Sequence, residues 1–449
     1  MIEEARLLGA LGAVVKRAEV DAISVCAHTS ARRVLRFAHE AIHQAVAQET
    51  VTVTVHVMHR RRRGVASADT LDAASLARCA KTAKTIAQHA PVLAPLPSLP
   101  QRHRARTRAD HVAATVRMTP RACVTSLRRL VHLCQGAGAS LAGSMLLGED
   151  AFAVVNSAGV SCYAASTVAA AKLVTMYRKL SGFAGAVHRD VRQLDLEGLL
   201  RRSLSQSLHR QDPVTLPLGS YEVILEPEAV ADLVTWLGYT AFGAKSVEER
   251  TSCLAGRMGE RLFAPSVTIY DDGSDPKSLR MPFDFEGTPK QKVVLIDRGR
   301  AAGIVYDTTY GARFDHPSTG HGMPPNETEG PFPLHLGMAA GTTSVAAMIR
   351  ACRRGLLIPR FHYVNGLLNP REALMTGLTR EGTFLIERGR VTSPVATMRF
   401  TQSLLDAFSR VLGVSSQRRL IADPNQELGC AVMPALHLAK LSLTGRSES

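Results

Sequence analysis

From residue 51 the chain reads Val-Thr-Val-Thr-Val-His-Val, apolar and polar in strict alternation, and this period of two predicts a half-buried strand. Just before it, Val34, Leu35, Ala38, Ala41, Ile42 and Ala45 recur at helical spacing. They predict an amphipathic helix over 34–46, with Thr29 or Ser30 placed to cap its start. A second helix is expected over 70–88, with Leu71, Leu76, Cys79 and Ala80 in its stripe. Residues 90–106 are basic and rich in proline and break the pattern. It restarts with a helix over 121–135, a Gly/Ala-rich strand over 140–147, and a hairpin with arms 152–155 and 160–165. Asn156-Ser157-Ala158-Gly159 supplies the turn residues between the arms. A strand over 168–178 and a helix over 195–210 follow. Beyond a boundary near 211–219 come a strand (221–225), a helix (228–239), a strand (267–270) ending in Asp271-Asp272-Gly273, and another strand (292–296). Residues 311–333, rich in Gly, Pro and His, predict a long ordered loop. Two strand–turn units around 383–386 and 395–400 and a helix over 403–412 complete the pattern. The expectation is an α+β protein with long antiparallel sections. Its expected organisation is an N-terminal domain (1–92), a linker (93–118), a central domain (119–212) and a C-terminal domain (213–449).

Composition narrows the function. The 449 residues suffice for two or three domains, and 45% hydrophobic with 21% charged residues describes an ordinary globular chain. The net charge of +15 raises the question of a polyanionic partner. Most basic residues are scattered, and the one dense run, Arg60-Arg61-Arg62-Arg63, ends at Gly64 and reads as a solvated hairpin tip. With a single Trp and no aromatics among the basic runs, the chain lacks a base-stacking platform, which argues against nucleic acid. The eight cysteines form no CxxC pair and no zinc-ribbon or disulfide frame. Met1-Ile2-Glu3-Glu4 shows no signal-peptide pattern, and the uncharged stretch 151–171 is too polar for a membrane span, so a cytoplasmic protein without membrane contact is expected.

One short motif invites a metal. His39-Glu40-Ala41-Ile42-His43 spells HExxH, in which two imidazoles one helical turn apart hold Zn²⁺ and the Glu activates its water. A third ligand is needed, and the Gly and His that would continue the motif are Val46 and Glu49 here. The simpler reading is that His39 and His43 flank an apolar stripe. His316, His321, His335 and His362 also merit attention. His316 and His321 sit close in the Gly/Pro-rich loop, where they would either order the loop or border a substrate groove; no Cys or carboxylate pattern completes a tetrahedral set. Asp271 and Asp272 read as turn residues. There is no G-x-S-x-G elbow.

Several blocks, in order, resemble the TldD/PmbA family of peptidases. They are the segment Arg36 to Gln44, Asn156-Ser157-Ala158-Gly159-Val160, Tyr221-Glu222-Val223-Ile224-Leu225-Glu226-Pro227-Glu228, Ala241-Phe242-Gly243-Ala244-Lys245, Leu254-Ala255-Gly256, Thr376-Gly377-Leu378-Thr379-Arg380-Glu381-Gly382, Ile386-Glu387-Arg388-Gly389 and Ser393-Pro394-Val395. The resemblance implies N-terminal and central α/β regions followed by a mostly antiparallel β C-terminal domain. It also implies one of two subunit types. The TldD type carries HExxxH on the helix after the first C-terminal strand, with a tail Cys as third zinc ligand. The TldE (PmbA) type lacks this site and pairs with TldD. Here Thr235, Trp236 and Thr240 occupy the motif positions, and none can replace His or Glu at zinc. Cys430 is in a different setting from the tail Cys. The resemblance therefore implies a TldE-type chain with no cofactor of its own. Zinc would sit in a TldD-like partner of a heterodimer that degrades or trims unfolded or modified peptides. An extended substrate would add to a strand edge around Thr376, Gly377, Leu378, Thr379 and Arg380, with His321 nearby. Two alternatives stand beside it. One is a self-sufficient peptidase or peptide-tailoring enzyme using His39, Glu40 and His43 or the His316/His321 loop. The other is a basic binding protein for nucleic acid or an acidic partner.

Overall fold

The computed structural model describes residues 3–446 except 40, 103 and 424–428. The first half of the chain runs α1 (Glu4–Arg17), β1 (Ala22–Ala38), β2 (Ala41–His59), β3 (Arg62–Ala68), α2 (Ala73–His89), β4 (Arg104–Asp110), α3 (Ala113–Arg117), α4 (Pro120–Gly136), β5 (Ser140–Asn156), β6 (Ser161–Tyr177), β7 (Leu180–His188) and α5 (Leu196–Ser207). Its strands form one seven-stranded sheet, ordered β3-β2-β1-β5-β6-β4 with β7 against β6. β1 pairs with β5 from Ser24↔Asn156 to Phe37↔Gly143, so segments 1–92 and 119–212 share this sheet. Residues 93–118, expected as a linker, contribute β4, which pairs parallel with β6, and the short α3. The expected turn at 156–159 holds: the Asn156 side chain accepts from the Val160 amide (2.9 Å) and donates to the Pro100 carbonyl (3.1 Å).

The helix expected over 34–46 does not form. Val34 pairs with Val46 and Leu35 with Ala45 in a β1–β2 hairpin. Leu35 and Phe37 are buried while Arg36 between them is exposed, which is the period of a strand. His39 turns the corner at φ 46°. The β-branched run that follows extends the pairing, and a continuous ladder outcompetes a short isolated helix.

The second half runs β8 (Gly219–Leu225), α6 (Pro227–Ala241), α7 (Ala244–Glu248), β9 (Ile269–Asp271), β10 (Val293–Asp297), β11 (Arg300–Ala301), α8 (Thr308–Phe314), β12 (His335–Met338), α9 (Val345–Ala351), β13 (Arg354–Ile358), β14 (Phe361–Asn369), β15 (Leu374–Thr379), β16 (Phe384–Glu387), β17 (Arg390–Pro394), β18 (Met398–Ser403), α10 (Leu404–Ser409), β19 (Val411–Ile421) and β20 (Cys430–Arg446). These strands make a thirteen-stranded sheet with β20 as its spine, pairing with β8, β12, β18 and β19. The pairings are antiparallel except β12 with β20 and β8 with β13. The fold is α+β, as expected. Helix α6 starts with Pro227 at its first turn, where a missing N–H costs nothing. It buries Leu233, Val234 and Leu237 in the main C-terminal core. No helix among the described residues is long and apolar enough to cross a membrane.

Candidate functional site

Helix α6 is the first place to look. The Thr240 side chain is buried and turns back along the helix, donating to the Trp236 carbonyl at 2.8 Å. The Trp236 indole lies over Gly366 of β14, where a Cβ would come within 2.9 Å of the ring, and packs edge-on to Tyr239. Thr235 is half-buried. None of these three side chains is an imidazole or a carboxylate that could hold a cation.

The HExxH segment lies far from helical geometry. His39 and His43 are exposed on either side of the β1–β2 turn, and Glu40 lies outside the described residues. The spacing that would put both imidazoles on one helix face has no meaning in a hairpin.

The proposed strand edge is also displaced. β15 is paired on both sides: Thr376 faces Asn365 of β14 and Thr401 of β18, and Leu378 faces His362 and Arg399. Thr376, Gly377, Leu378 and Thr379 thus offer no open backbone to a peptide, and Arg380 binds Glu381 at 3.1 Å. Open edges exist elsewhere among the described residues. β14 pairs only with β15 among the described residues, and it exposes Tyr363 (79%), Leu367 (53%) and Leu368 (53%). In β2, pairing with β3 begins only at Val53, so 41–52 is open on one side.

His321 belongs to a buried ionic centre under the loop, not to a groove. Its Nε2 donates to Asp271 Oδ1 at 2.8 Å, and Nδ1 lies 2.9 Å from the Thr319 hydroxyl. Lys290 Nζ stands 3.4 Å from the same carboxylate, and the His335 amide donates to its other oxygen at 2.6 Å. Burial opposes ionisation of Asp271, but Lys290 and His321 outweigh it and hold its carboxyl well below the usual range. Burial, with Lys290 adding to it, pulls the His335 imidazole down to about 3, and His321 is lowered for the same reasons. Two neutral imidazoles therefore surround one compensated ion pair, the condition that makes a buried pair tolerable. His316 has different partners: it stacks on Tyr306 at 4.2 Å and its Nδ1 donates to the Pro317 carbonyl at 2.7 Å. The two loop histidines order the loop separately.

Pattern reading missed the surface that His335 reaches. A cavity of about 160 Å³ lies between the N-terminal sheet and the C-terminal half, lined by His28, Arg32, Asp110, Asp150, Arg189, Arg280, Phe285 and His335 among others. His335 Nε2 donates to the Leu279 carbonyl at 2.9 Å, which leaves Nδ1 as a buried acceptor with no partner among the described residues. The Cys430 sulfur accepts from the Leu279 amide at 3.4 Å, and burial pushes its thiol up to about 12. Charged groups on the wall are mutually held: Asp110 is gripped by Arg189 and by Arg280 (2.6 Å), and Asp150 by Arg32 (2.9 Å) and His28 (3.1 Å). The cavity wall is thus polar, with its charged side chains already paired to one another.

The four-arginine run is a hairpin tip, as expected, but three of its guanidinium groups donate to carbonyls of this chain: Arg61 to Leu93, Arg62 to Gln88 and Arg63 to Pro325. Those groups are engaged within the protein.

Residues 218–445, just over half of the chain, match the family described as the PmbA/TldA metallopeptidase C-terminal domain. The chain belongs to this metallopeptidase family. Among curated relatives, an uncharacterised protein of Methanocaldococcus jannaschii is 29% identical over 171 residues, covering 37% of this chain and 40% of that one. The metalloprotease TldD homolog of Haemophilus influenzae is 25% identical over 224 residues, covering 49% of this chain and 46% of its own. The matches thus span about half or less of these relatives' length. Among solved structures, TldE from Thermococcus kodakarensis superimposes with a TM-score of 0.87 at 21% identity, covering 96% of this chain and 100% of that one. At that identity the likeness concerns the PmbA/TldD fold, which extends over nearly the whole chain.

Proposed function

We propose that this chain is the TldE-type subunit of a two-chain zinc peptidase that degrades or trims unfolded or modified peptides in the cytoplasm. The zinc would be supplied by a TldD-like partner. The observation that carries this reading is the interior of α6: Thr235, Trp236 and Thr240 fill the motif positions with an indole packed on Gly366 and a hydroxyl turned onto the backbone. The fold likeness to a TldE protein supports it. So does the exposed apolar edge of β14, whose Tyr363, Leu367 and Leu368 offer a face of the kind that docks a partner. In this reading the chamber beside His335 receives part of the substrate, and an extended peptide pairs with an open strand edge, for which 41–52 of β2 is better placed than β15. The test is hydrolysis of unfolded peptides by the purified chain alone and mixed with a TldD-like chain. Turnover in the mixture only is the expected result; turnover by this chain alone overturns the proposal.

A further inference from the structure

Glu222, Cys352 and His437 come from β8, the C-terminal end of α9 and β20, and their ligand atoms lie within 4.8 Å of one another. They are the one such group of three His, Cys, Asp or Glu side chains among the described residues. Sheet register explains the meeting. His437 is paired with Ile224, so Glu222 lies one pleat along the same face, and α9 covers that face with Met348 and Cys352 against Ile224 and Ile386. Cys352 caps α9, its amide donating to Met348 and Ile349, which fixes the sulfur over the sheet. Gly355, paired with Glu222, is required by the sheet itself, since a Cβ there would stand 2.4 Å from the Glu222 carbonyl; it would also come within 2.6 Å of the Cys352 sulfur.

We propose that Glu222, Cys352 and His437 form a zinc site that clips β8, α9 and β20 together in the C-terminal domain. Thiolate, imidazole and carboxylate are the donor set Zn²⁺ favours. The Glu222 side chain is 27% exposed while His437 is 7% exposed, so a water can complete a tetrahedron from the Glu222 side. His437 Nε2 and Glu222 Oε1 are now 2.6 Å apart and must open to about 3.3 Å, the ligand separation in a tetrahedron with bonds of about 2.0–2.1 Å. The alternative is a plain His–Glu ion pair. Such a pair is complete without a sulfur, yet here the Cys352 thiol stands beside the same Glu222 carboxylate, within 4.8 Å of the His437 ligand atom. Burial and the neighbouring Glu222 raise the Cys352 thiol to about 12, so zinc uptake must expel that proton to solvent, and affinity falls as the pH is lowered.

The site is distinct from the α6 positions and goes beyond the proposed function, and its test reads no hydrolysis. The untagged full-length chain is titrated with Co²⁺ at neutral pH. One equivalent should bind, with a thiolate-to-cobalt charge-transfer band that Zn²⁺ abolishes. Cys352→Ser should lose the band, and Cys352→Ser and His437→Gln should each bind Co²⁺ at least about ten-fold more weakly, judged on variants whose circular dichroism matches the parent. A folded parent chain showing no thiolate band overturns the proposal without any variant. A band that survives in Cys352→Ser overturns it too, because the metal is then on another of the cysteines.

Discussion

Asp284 carries a pH signature of its own. Its Oδ1 accepts from the Glu286 and Thr288 amides (3.0 and 2.8 Å) and its Oδ2 from Gly322 (2.7 Å). Burial nevertheless raises its pKa to about 6, and Glu286 and Asp307, crowded beside it, are raised as well. An unfolded Asp releases its proton near ~4, so between about pH 4 and 6 the native state binds more protons. The stabilisation from this group is therefore complete below about pH 4 and is lost as the pH rises through about 6. Asp284→Asn removes this titration but also one acceptor, so it should lower stability by ~1–2 kcal/mol below about pH 4 and flatten the decline by up to ~2–3 kcal/mol, closing or reversing the deficit by about pH 7. Urea midpoints measured from pH 4 to 7 check this; an unchanged slope would show that Glu286 and Asp307 carry the whole effect. At Trp236, truncation to Ala should cost ~2–3 kcal/mol by opening a hole over Gly366, read as a lower denaturant midpoint at constant m. Sequence could place Trp236 and Thr240 on α6 because one helix holds both. It could not assemble Asp271 with Lys290 and His321, or Glu222 with Cys352 and His437. Each group is spread over separate elements, and only sheet register brings them together. Asp271 looked like a turn residue because Gly273 follows it, yet its side chain points into the core.

Elements were legible where one period dominated. The hairpin around Asn156 and Gly159 carried its turn chemistry in plain view, and α2, α4, α5 and α6 form close to their expected positions. The segment 34–46 misled because its six apolar residues satisfy a helical stripe, whereas the decisive pattern is the short alternation Leu35, Arg36, Phe37 continued by the valines beyond residue 50. β4 was hidden for a different reason: Arg104-Ala105-Arg106-Thr107 has no apolar stripe, and it becomes a strand by pairing beside β6. Close approach of elements offers a direct test. Gly64 of β3 lies under α2, where a Cβ would come within 2.0 Å of the Ala83 carbonyl. Gly64→Ala should therefore push α2 off the sheet and cost ~2–3 kcal/mol in thermal or urea unfolding; a neutral result would mean the helix shifts freely. Edge strand β14 calls for the opposite kind of substitution. Leu367→Lys places a charge on an exposed edge and should change stability by less than ~0.5 kcal/mol. If β14 is the docking face, the same change should abolish association with a TldD-like chain in analytical ultracentrifugation. Unchanged association would move the interface elsewhere.

The two halves of the molecule are joined by a contact that mixes apolar packing with charge. Phe283, fully buried, projects from the second half onto the first and stacks with Phe152 at 5.6 Å, while Phe285 meets Phe152 edge-on at 4.5 Å. Beside them Arg280 reaches across to Asp110, at the end of β4, which Arg189 grips from its own half. Arg189 and Asp110 are nearly buried and Arg280 is 33% exposed. Removing the shared carboxylate leaves two guanidinium groups facing each other in a poorly hydrated place, the costly way to break such a cluster. Allowing for solvent at Arg280, Asp110→Ala should cost ~2–3 kcal/mol. Because all three residues line the cavity, the loss should act on the chamber as a whole. Limited proteolysis should then cut first in the connection between α5 and β8, and peptide turnover by the mixed subunits should fall. Arg280→Lys separates charge from geometry: it keeps the cation but gives up the forked pairing, so it should produce an intermediate loss. If Asp110→Ala left protease resistance and turnover as they were, the halves would be held by their other contacts, such as Phe283 on Phe152 and Arg202 with Glu226 and Glu228, and the ionic wall of the chamber would have to be explained by what it binds.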